Sequence, residues 1–418
     1  MRILLSAYAC RPHAGSEPGV GWNWATHLAK RGMEVHVLVA KRNQEPVEAG
    51  LQGNSLPNLH FTFVAVPFGQ AKKNEAVHYA LWQIAALKAA RELTKKFRFE
   101  ITHHVTYASI HVPSQLWRLG IPLIFGPVGG GQTTPSSLLP YFGPEKSKER
   151  LRSALTGALK FSLFHRNSLQ QMSWILAANR DTLRLVQGLG CNNASLMCDT
   201  AISTDYFASK PRKFENRSVP LRLLWVGRML TRKALPLALD VLKAADTNAT
   251  LTIAGDGMDP AAVHQMIRDR NLQQRVFWKG TRLTYQELRS AYAKHDAMLF
   301  TSLRDSFGSQ LLEALAMGLP VITVDLQGAR DFVPDDASLK VAVGNCQDTV
   351  RNFAHAVERY DRLTPQAKSL MSSKALAFAK TLNWTERAEF TEKLYREILS
   401  RIADSQRTSS SNVAALTT

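Results

Sequence analysis

The residues best suited to chemistry form a loop between two predicted strands in the second half of the chain. Residues 301–322 read as a strand end, a loop, a helix from about Ser309 and a further strand. The loop would present the backbone N–H groups of Phe307, Gly308 and Ser309 where the helix dipole favours an anion. Gly308 has no side chain, so an anion can approach closely. The segment, with Ser306, predicts a phosphate-binding cradle.

Two carboxylates flank this cradle. Glu313, about one turn inside the helix, could accept hydrogen bonds from both hydroxyls of a ribose, and Asp305 could meet hydroxyls of a bound sugar. In the alternative, the segment is an ordinary strand–loop–helix connection, with Asp305 capping the helix and Glu313 solvated. The pattern alone leaves both interpretations open.

A second cluster follows the first predicted strand of the same half. Arg228 and Lys233 lie in that strand–helix loop, at the predicted carboxyl edge of the sheet, and two cations suit a diphosphate. The alternative, exposed surface charge, fits Arg232 better than this pair. The next strand ends at Gly255 and Gly257, whose small size lets a ligand pass close to the backbone.

Glycine-rich loops in the first half predict the other wall of a cleft, over donor phosphate or acceptor. These candidates are Gly15, Ser16, Glu17, Gly129 and Gly130. Gly19 and Gly21 also begin a dinucleotide-binding pattern, but Trp24 occupies its third glycine position. No acidic residue ends the second strand, so NAD is disfavoured, whereas a 2′-phosphorylated cofactor stays open.

These motifs resemble those of the retaining, nucleotide-sugar-dependent glycosyltransferases of family 4. The resemblance extends over most of the chain. It rests on Gly227–Arg228 with Lys233, residues 254–257, Asp305 with seven residues before Glu313, residues 313–320, residues 15–19, residues 126–131, and Trp384.

The resemblance implies the GT-B architecture, an α/β fold of two Rossmann-like domains facing a cleft, with the C-terminal helix crossing back to the N-terminal domain. Arg228 and Lys233 would hold the donor diphosphate, Glu313 the donor ribose and Asp305 the transferred sugar. The implied reaction moves a hexose, with retention, from a UDP- or GDP-linked donor. The implied acceptor is a saccharide or lipid-linked molecule of exopolysaccharide, lipopolysaccharide or other glycoconjugate synthesis.

Neither a cofactor nor a metal is required by this scheme. No Asp-x-Asp occurs, and the histidines show no metal-ligand spacing, so the diphosphate charge would fall to Arg228, Lys233 and helix N-termini. Two departures from the family matter. Asp305 stands where the family usually has glutamate, and its usual cleft histidine is missing. His103 and His104, at the end of the preceding strand, are candidate substitutes, with core packing as the alternative.

Strand and helix patterns alternate along the chain, and the elements they predict would position the candidate site residues. These patterns predict an acceptor-side N-terminal domain over 1–210, a nucleotide-sugar-binding domain over 218–382, a returning helix over 383–404 and a disordered tail over 405–418. Within the first domain, residues 107–119 and 148–171 are predicted as helices.

The charge balance of the chain indicates which binding partners are possible and not which fold it adopts. The 418 residues carry a net charge of +18, and the first 217 hold 26 basic and 13 acidic residues. Residues 146–166 predict a basic amphipathic helix that could lie on an anionic membrane, or equally face the core with a solvated basic side. Four cysteines without framework spacing fit a reducing cytosol. No apolar run spans a bilayer, and the apolar start predicts a buried strand in place of a signal peptide.

We therefore expect a cytoplasmic enzyme, peripheral at the inner face of the cytoplasmic membrane, with a nucleoside-diphosphate sugar and a saccharide or lipid-linked acceptor as partners. Two other classes stay open. An NADP-dependent oxidoreductase would share the α/β layers, and a nucleic-acid-binding protein would share the charge, although no nucleic-acid motif occurs. The sequence leaves the sugar, base, acceptor, linkage and oligomeric state undetermined.

Overall fold

The computed structural model describes residues 1–53, 56–66, 74–215, 219–278, 280 and 283–415. Within them, the strands form two sheets. The first contains β1 Arg2–Ala7, β2 Glu34–Ala40, β3 Leu59–Val64, β4 Ile101–Thr106, β5 Leu123–Val128, β6 Trp174–Ala177 and β7 Ala194–Leu196. The second contains β8 Arg222–Val226, β9 Thr250–Ala254, β10 Val276–Trp278, β11 Ala297–Phe300, β12 Val321–Val324 and β13 Ser338–Val341.

Helices connect the strands. The first half contains α1 Ser16–Lys30, α2 Gln44–Leu51, α3 Glu75–Lys96, α4 Lys146–Ala158, α5 Leu163–Gln170 and α6 Arg180–Gly188. The second contains α7 Leu235–Ala244, α8 Pro260–Arg268, α9 Tyr285–Lys294, α10 Ser309–Ala316, α11 Gln327–Phe332, α12 Cys346–Asp361, α13 Pro365–Thr381 and α14 Trp384–Ala415. None of the helices in these described residues is both long and apolar enough to cross a membrane.

Both sheets are parallel and share one topology. Their strand orders are β3-β2-β1-β4-β5-β6-β7 and β10-β9-β8-β11-β12-β13. The central strands are buried apolar runs, as expected where helices cover both faces of a parallel sheet. The order reverses direction beside β1 and again beside β8, so the loops after these strands open into a crevice. The predicted α/β class with two Rossmann-like domains is confirmed.

Helix α14 returns to the first domain. Trp384 packs against Trp24 of α1 with ring centroids 6.1 Å apart, and Leu394 and Ile398 join the core beside β1. The helix continues to Ala415, whereas the sequence predicted disorder from 405; residues 416–418 lie outside the described residues. Since no glycine or proline interrupts residues 384–415, the helical hydrogen bonds continue.

Two predicted helices of the first domain differ in the structure. Residues 107–119 form a loop that ends in a short 3₁₀ helix, Leu116–Leu119, because Pro113 cannot donate a helical hydrogen bond. The predicted helix over 148–171 is divided into α4 and α5, and Ser162 caps the second piece. The connection between the two predicted domains, residues 211–217, lies between β7 and β8, and residues 216–218 are outside the described part.

Candidate active site

A cavity of about 310 Å³ lies between the two domains, at the carboxyl ends of their strands. Its volume is at the lower end of the range for small-molecule sites. The structure brings ten of the predicted site residues to its wall. They are Gly15, Ser16, Glu17, Arg228, Lys233, Gly255, Asp305, Gly308, Ser309 and Glu313.

Lys233 and Asp305 form an ion pair in this cavity. Hydrogen bonds fix the loop that carries Lys233. The hydroxyl of Thr301, just after β11, donates to the carbonyl oxygens of Lys233 and Ala234 at 3.0 and 3.1 Å. Lys233 is only 8% exposed. Its ammonium group is therefore fixed at the cavity wall before any ligand binds.

Arg232 extends this charged cluster. Its guanidinium lies 3.4 Å from the Asp305 carboxylate, and Arg228 lines the same cavity. Burial alone would raise the pKa of Asp305, but the charges of Lys233 and Arg232 outweigh it and hold that pKa below its usual value. Burial lowers the pKa of Lys233, and Asp305 opposes that shift. Three cations thus gather beside Asp305 on one side of the cavity, where they could bind phosphate.

Glu313 lies on α10, beside the charged cluster. The Tyr292 hydroxyl donates to its Oε2 at 2.9 Å, and the Ser309 side chain also hydrogen bonds to this carboxylate. Both bonds orient the group, and since each carboxylate oxygen accepts more than one hydrogen bond, it can still accept from a ligand. Burial raises the pKa of Glu313, and the hydrogen bond from Tyr292 opposes that shift. Such a half-buried acceptor at a cavity wall suits a hydroxyl-bearing ligand.

Two positions at the cavity wall need glycine, one because of its backbone conformation and one because another loop packs closely against it. Gly308 precedes α10 with a φ of 99°, in the left-handed region that favours glycine. A Cβ on Gly255 would lie 1.9 Å from the carbonyl oxygen of Gly227, so any side chain there would push the two loops apart. Gly308 thereby leaves the N-terminus of α10 open to the cavity, and Gly255 lets the loops after β8 and β9 pack together.

Several predicted residues lie elsewhere. Phe307 is fully buried against Phe332 in the core of the second domain, and Gly257 does not reach the cavity wall. Ser306 accepts a hydrogen bond from Gln132 of the first domain at 3.2 Å. A Cβ on Gly129 would lie 2.6 Å from the Ser306 hydroxyl, and Gly130 packs on His111 and Ser109. The second glycine-rich loop thus permits contact between the domains and does not line this cavity.

The two histidines that the sequence offered as cleft residues, His103 and His104, lie in the core of the N-terminal domain, which was the alternative. His103 hydrogen bonds to the Tyr395 hydroxyl at 2.6 Å and to the carbonyl of Gly126 at 2.8 Å. His104 hydrogen bonds to the hydroxyl of Tyr79 at 2.9 Å. Burial lowers their pKa values to about 3 and about 4, so both are neutral near pH 7. Neither lines the cavity, and both serve packing in the N-terminal domain.

Sequence reasoning missed Asp199, which lines the cavity after β7. Arg387 of α14 donates to the carbonyl oxygen of Thr200 at 2.9 Å and so fixes this loop. Burial, together with the negative charges of Asp305 and Glu17, raises the pKa of Asp199 to about 7. No local motif marks Asp199, because only the packing of α14 on the interdomain loop brings it to the site.

The raised pKa of Asp199 predicts how stability depends on pH. A carboxyl whose pKa is higher in the folded state makes the protein lose stability as pH rises from the ordinary aspartate pKa, about 3.9, to about 7. We expect the melting temperature of Asp199→Asn minus that of the wild type to increase over this interval and to level off above it. Thermal denaturation across pH measures this difference. A pH-independent difference, or the same rise in the exposed control Asp325→Asn, would refute the assignment.

A larger cavity of about 1310 Å³ adjoins the first and shares Gly15, Ser16 and Glu313 with it. It lies between α1, the loop around Thr204, α9 and the start of α14. Trp22, Tyr285 and Trp384 contribute aromatic surface to its wall. Together the cavities provide room for a ligand larger than a nucleotide.

Comparisons with known proteins agree with this architecture. Residues 220–360 match the family model described as glycosyl transferases group 1. The phosphatidylinositol N-acetylglucosaminyltransferase GPI3 subunit of Saccharomyces cerevisiae is 23% identical over 49% of this chain, and the match covers 46% of that relative. The chain thus spans about half the length of that relative. The N-acetyl-α-D-glucosaminyl L-malate synthase of Bacillus anthracis is 23% identical over 79% of this chain and 81% of its own.

Solved structures share the whole fold. Sucrose-phosphate synthase of Thermosynechococcus elongatus superposes with a TM-score of 0.67 at 16% identity, covering 96% of this chain and 99% of its own. Anabaena HepE, solved in complex with UDP and glucose, superposes with a TM-score of 0.55 at 15% identity, covering 98% and 100%. The two domains and the cleft between them have the GT-B architecture. The family match to the glycosyl transferases group 1 lies within the C-terminal domain.

Proposed function

We propose that the protein is a retaining hexosyltransferase that uses a UDP- or GDP-linked sugar and a saccharide or lipid-linked acceptor. The carrying observation is the joint placement of Lys233, Arg232 and Arg228 with the N-terminus of α10 in one interdomain cavity. This positive set suits the diphosphate of a nucleotide sugar. The complex of Anabaena HepE with UDP and glucose supports that class of donor.

In the proposed reaction, the bond between the anomeric carbon and the diphosphate oxygen breaks, and the acceptor oxygen bonds to that carbon on the same face. The acceptor's proton passes to the departing phosphate. Charge develops on the diphosphate, so fixed cations stabilise the transition state more than the bound donor. Lys233 would contact the phosphate from its place beside Asp305, which Arg232 also pairs. No metal or other cofactor is needed in this scheme, since the cations supply the compensating charge.

Glu313 and Asp305 complete the proposed donor site. The carboxylate of Glu313 would accept hydrogen bonds from the ribose, and Asp305 would bind hydroxyls of the transferred sugar. The family that the sequence resembles usually has glutamate in place of Asp305, and the shorter side chain would leave more room beside that sugar. Gly15, Ser16 and Glu17 would lie on the acceptor side, across the cavity from α10.

Donor turnover tests the proposal. UDP- and GDP-linked hexoses are incubated with the purified protein, and release of the nucleoside diphosphate is measured with and without saccharide acceptors. Proton NMR of the transferred sugar then reports the anomeric configuration. Release from at least one donor, with the α-linkage of that donor retained in the product, supports a retaining transferase. Inversion would overturn the mechanism, and failure to turn over any of these donors would overturn the donor class.

We further propose that the segment from α4 to α5 contacts an anionic membrane that carries the acceptor, so that the protein is cytoplasmic and peripheral. The helix α4 faces the protein with polar groups, since Thr134 donates to the buried Glu149 at 2.7 Å. Apolar side chains of this segment point outwards: Leu151 of α4 is 60% exposed, and Phe161, in the turn that follows α4, is 78% exposed. The same segment exposes the cations Lys146, Lys148, Arg150, Lys160 and Arg166. Exposed apolar and basic side chains together suit anionic lipid.

Replacing Phe161 and Phe164 together with serine is expected to weaken binding to vesicles containing phosphatidylglycerol by at least about tenfold, because inserted aromatic side chains lose favourable burial. Vesicle sedimentation at low and high salt measures this. Leu370→Ser, which removes a 60% exposed apolar residue of α13, is the matched control. Equal binding by the wild type and the double variant, or no vesicle binding at all, would exclude this surface.

A further inference from the structure

A cluster of two histidines and a glutamate lies in the N-terminal sheet, outside the candidate active site. Side chains alternate between the faces of a strand, so Glu34 and His36 of β2 share one face. The register of β2 and β3 pairs His36 directly with His60. One ligand atom from each of these three residues lies within 4.8 Å of the others. Three metal-binding groups therefore converge at the outer edge of the sheet.

The spacing matches a zinc ion. His36 Nε2 and Glu34 Oε1 are 3.2 Å apart. Two ligands bound tetrahedrally at about 2.0–2.1 Å would be about 3.3 Å apart. His36 is buried and rigidly held, with its ring centroid 4.5 Å from that of Phe97. His60 is exposed, so its ring can turn to complete the set.

Arg2 acts on this cluster through the second oxygen of Glu34, which it holds at 2.8 Å. A hydrogen-bonded partner on a ligating carboxylate fixes its orientation and leaves the other oxygen for the metal. The guanidinium also repels a divalent cation, so we expect weaker binding than at a four-ligand structural zinc site. Two imidazoles and a carboxylate favour zinc over the oxygen-preferring magnesium and calcium.

The location separates this cluster from the proposed donor site. Glu34 and His36 stand at the beginning of β2, whereas the interdomain cavity lies at the carboxyl ends of the strands. His60 belongs to β3, which is the edge strand of the sheet. A metal bound here would join the edge strand to its neighbour.

We propose that Glu34, His36 and His60 bind a zinc ion that clips β3 to β2 and stabilises the N-terminal domain. A ligand that binds the folded state alone raises its stability according to its concentration and affinity. His60 lies 24 positions after His36 and 26 after Glu34, on a separate strand, so no short sequence motif marks the three residues. The proposal does not depend on glycosyl transfer.

Calorimetric titration of zinc chloride into chelator-treated, dialysed protein tests this proposal. We expect saturable binding of one zinc ion and a rise in melting temperature with zinc, both weakened at least about tenfold in His60→Ala. That variant removes an exposed ligand, so its metal-free melting temperature should match the wild type. His355→Ala is the matched control, because His355 pairs with Glu358 at 3.3 Å outside the cluster.

Cobalt(II) provides a second readout. Substitution for zinc should give visible absorption of tetrahedral intensity in the wild type and in His355→Ala, but not in His60→Ala. Absence of saturable zinc binding to the wild type would overturn the proposal. So would equal zinc affinity in the wild type and His60→Ala, or equal loss in the two histidine variants.

Discussion

Replacing Lys233 with alanine is expected to lower kcat/KM for the sugar donor by about a hundredfold, the scale of losing one preorganised charge partner of a transition state. Lys233 is buried, anchored through Thr301 and already charged against Asp305, so little reorganisation precedes its contact with phosphate. Water cannot replace it with equal effect, because a mobile dipole must be oriented during the reaction. Steady-state kinetics with the preferred donor measure the loss.

A stability effect must be separated from this kinetic effect. Removing Lys233 takes one partner from Asp305, but Arg232 remains 3.4 Å away, so the carboxylate stays paired and we expect the fold to persist. The melting temperature of each variant checks this. Lys243→Ala, an exposed lysine at the end of α7, should retain wild-type kinetics. Near-unchanged kcat/KM in a folded Lys233→Ala variant would remove Lys233 from the donor site.

Replacing Glu313 with alanine is expected to lower kcat/KM for the donor by about 10- to 100-fold, because a hydrogen bond to a charged acceptor contributes about 1.5–3 kcal/mol. The carboxylate is held by Tyr292 at 2.9 Å, so it meets the ribose without losing further freedom. Donor kinetics and calorimetry of nucleoside diphosphate binding measure the change.

A nucleotide without ribose hydroxyls isolates this interaction. The wild type should bind the 2′,3′-dideoxynucleoside diphosphate more weakly than the natural one, whereas Glu313→Ala should bind the two nearly equally. Glu397→Ala, at an exposed position of α14, serves as the control. If the variant discriminates between the nucleotides as strongly as the wild type, then Glu313 does not contact the ribose.

The sequence predicted the charged residues of the site, because each of them belongs to a short local pattern of strand end, loop and helix start. Lys233 follows one strand and Asp305 another, and the carboxyl ends of neighbouring parallel strands always share one edge of the sheet. Glu313 follows from its position one turn into α10. The same reasoning misassigned His103 and His104, because β4 is buried on both faces and its side chains point into two cores. The prediction for Phe307 concerned its backbone N–H group and stays a prediction, because only its side chain packs into the core.

What the sequence could not predict depends on contacts between distant segments. Asp199 reaches the cavity only because α14 crosses the domains and holds its loop through Arg387. Arg232 looked like surface charge, although the loop turns it onto Asp305. The cluster around His60 exists only in the register of two parallel strands. The outward apolar face of α4 likewise could not be distinguished by periodicity from a face packed on the core.

The most direct test of the central claim is a thermal-shift panel of the wild type with UDP, GDP, ADP, NADP and an oligonucleotide. The claim is that the interdomain cavity binds the diphosphate of a nucleotide sugar. We predict that UDP or GDP raises the melting temperature while NADP and the oligonucleotide leave it unchanged, and the stabilising nucleotide identifies the base. No shift with any of the three diphosphates, or a shift with NADP or the oligonucleotide instead, would contradict the account.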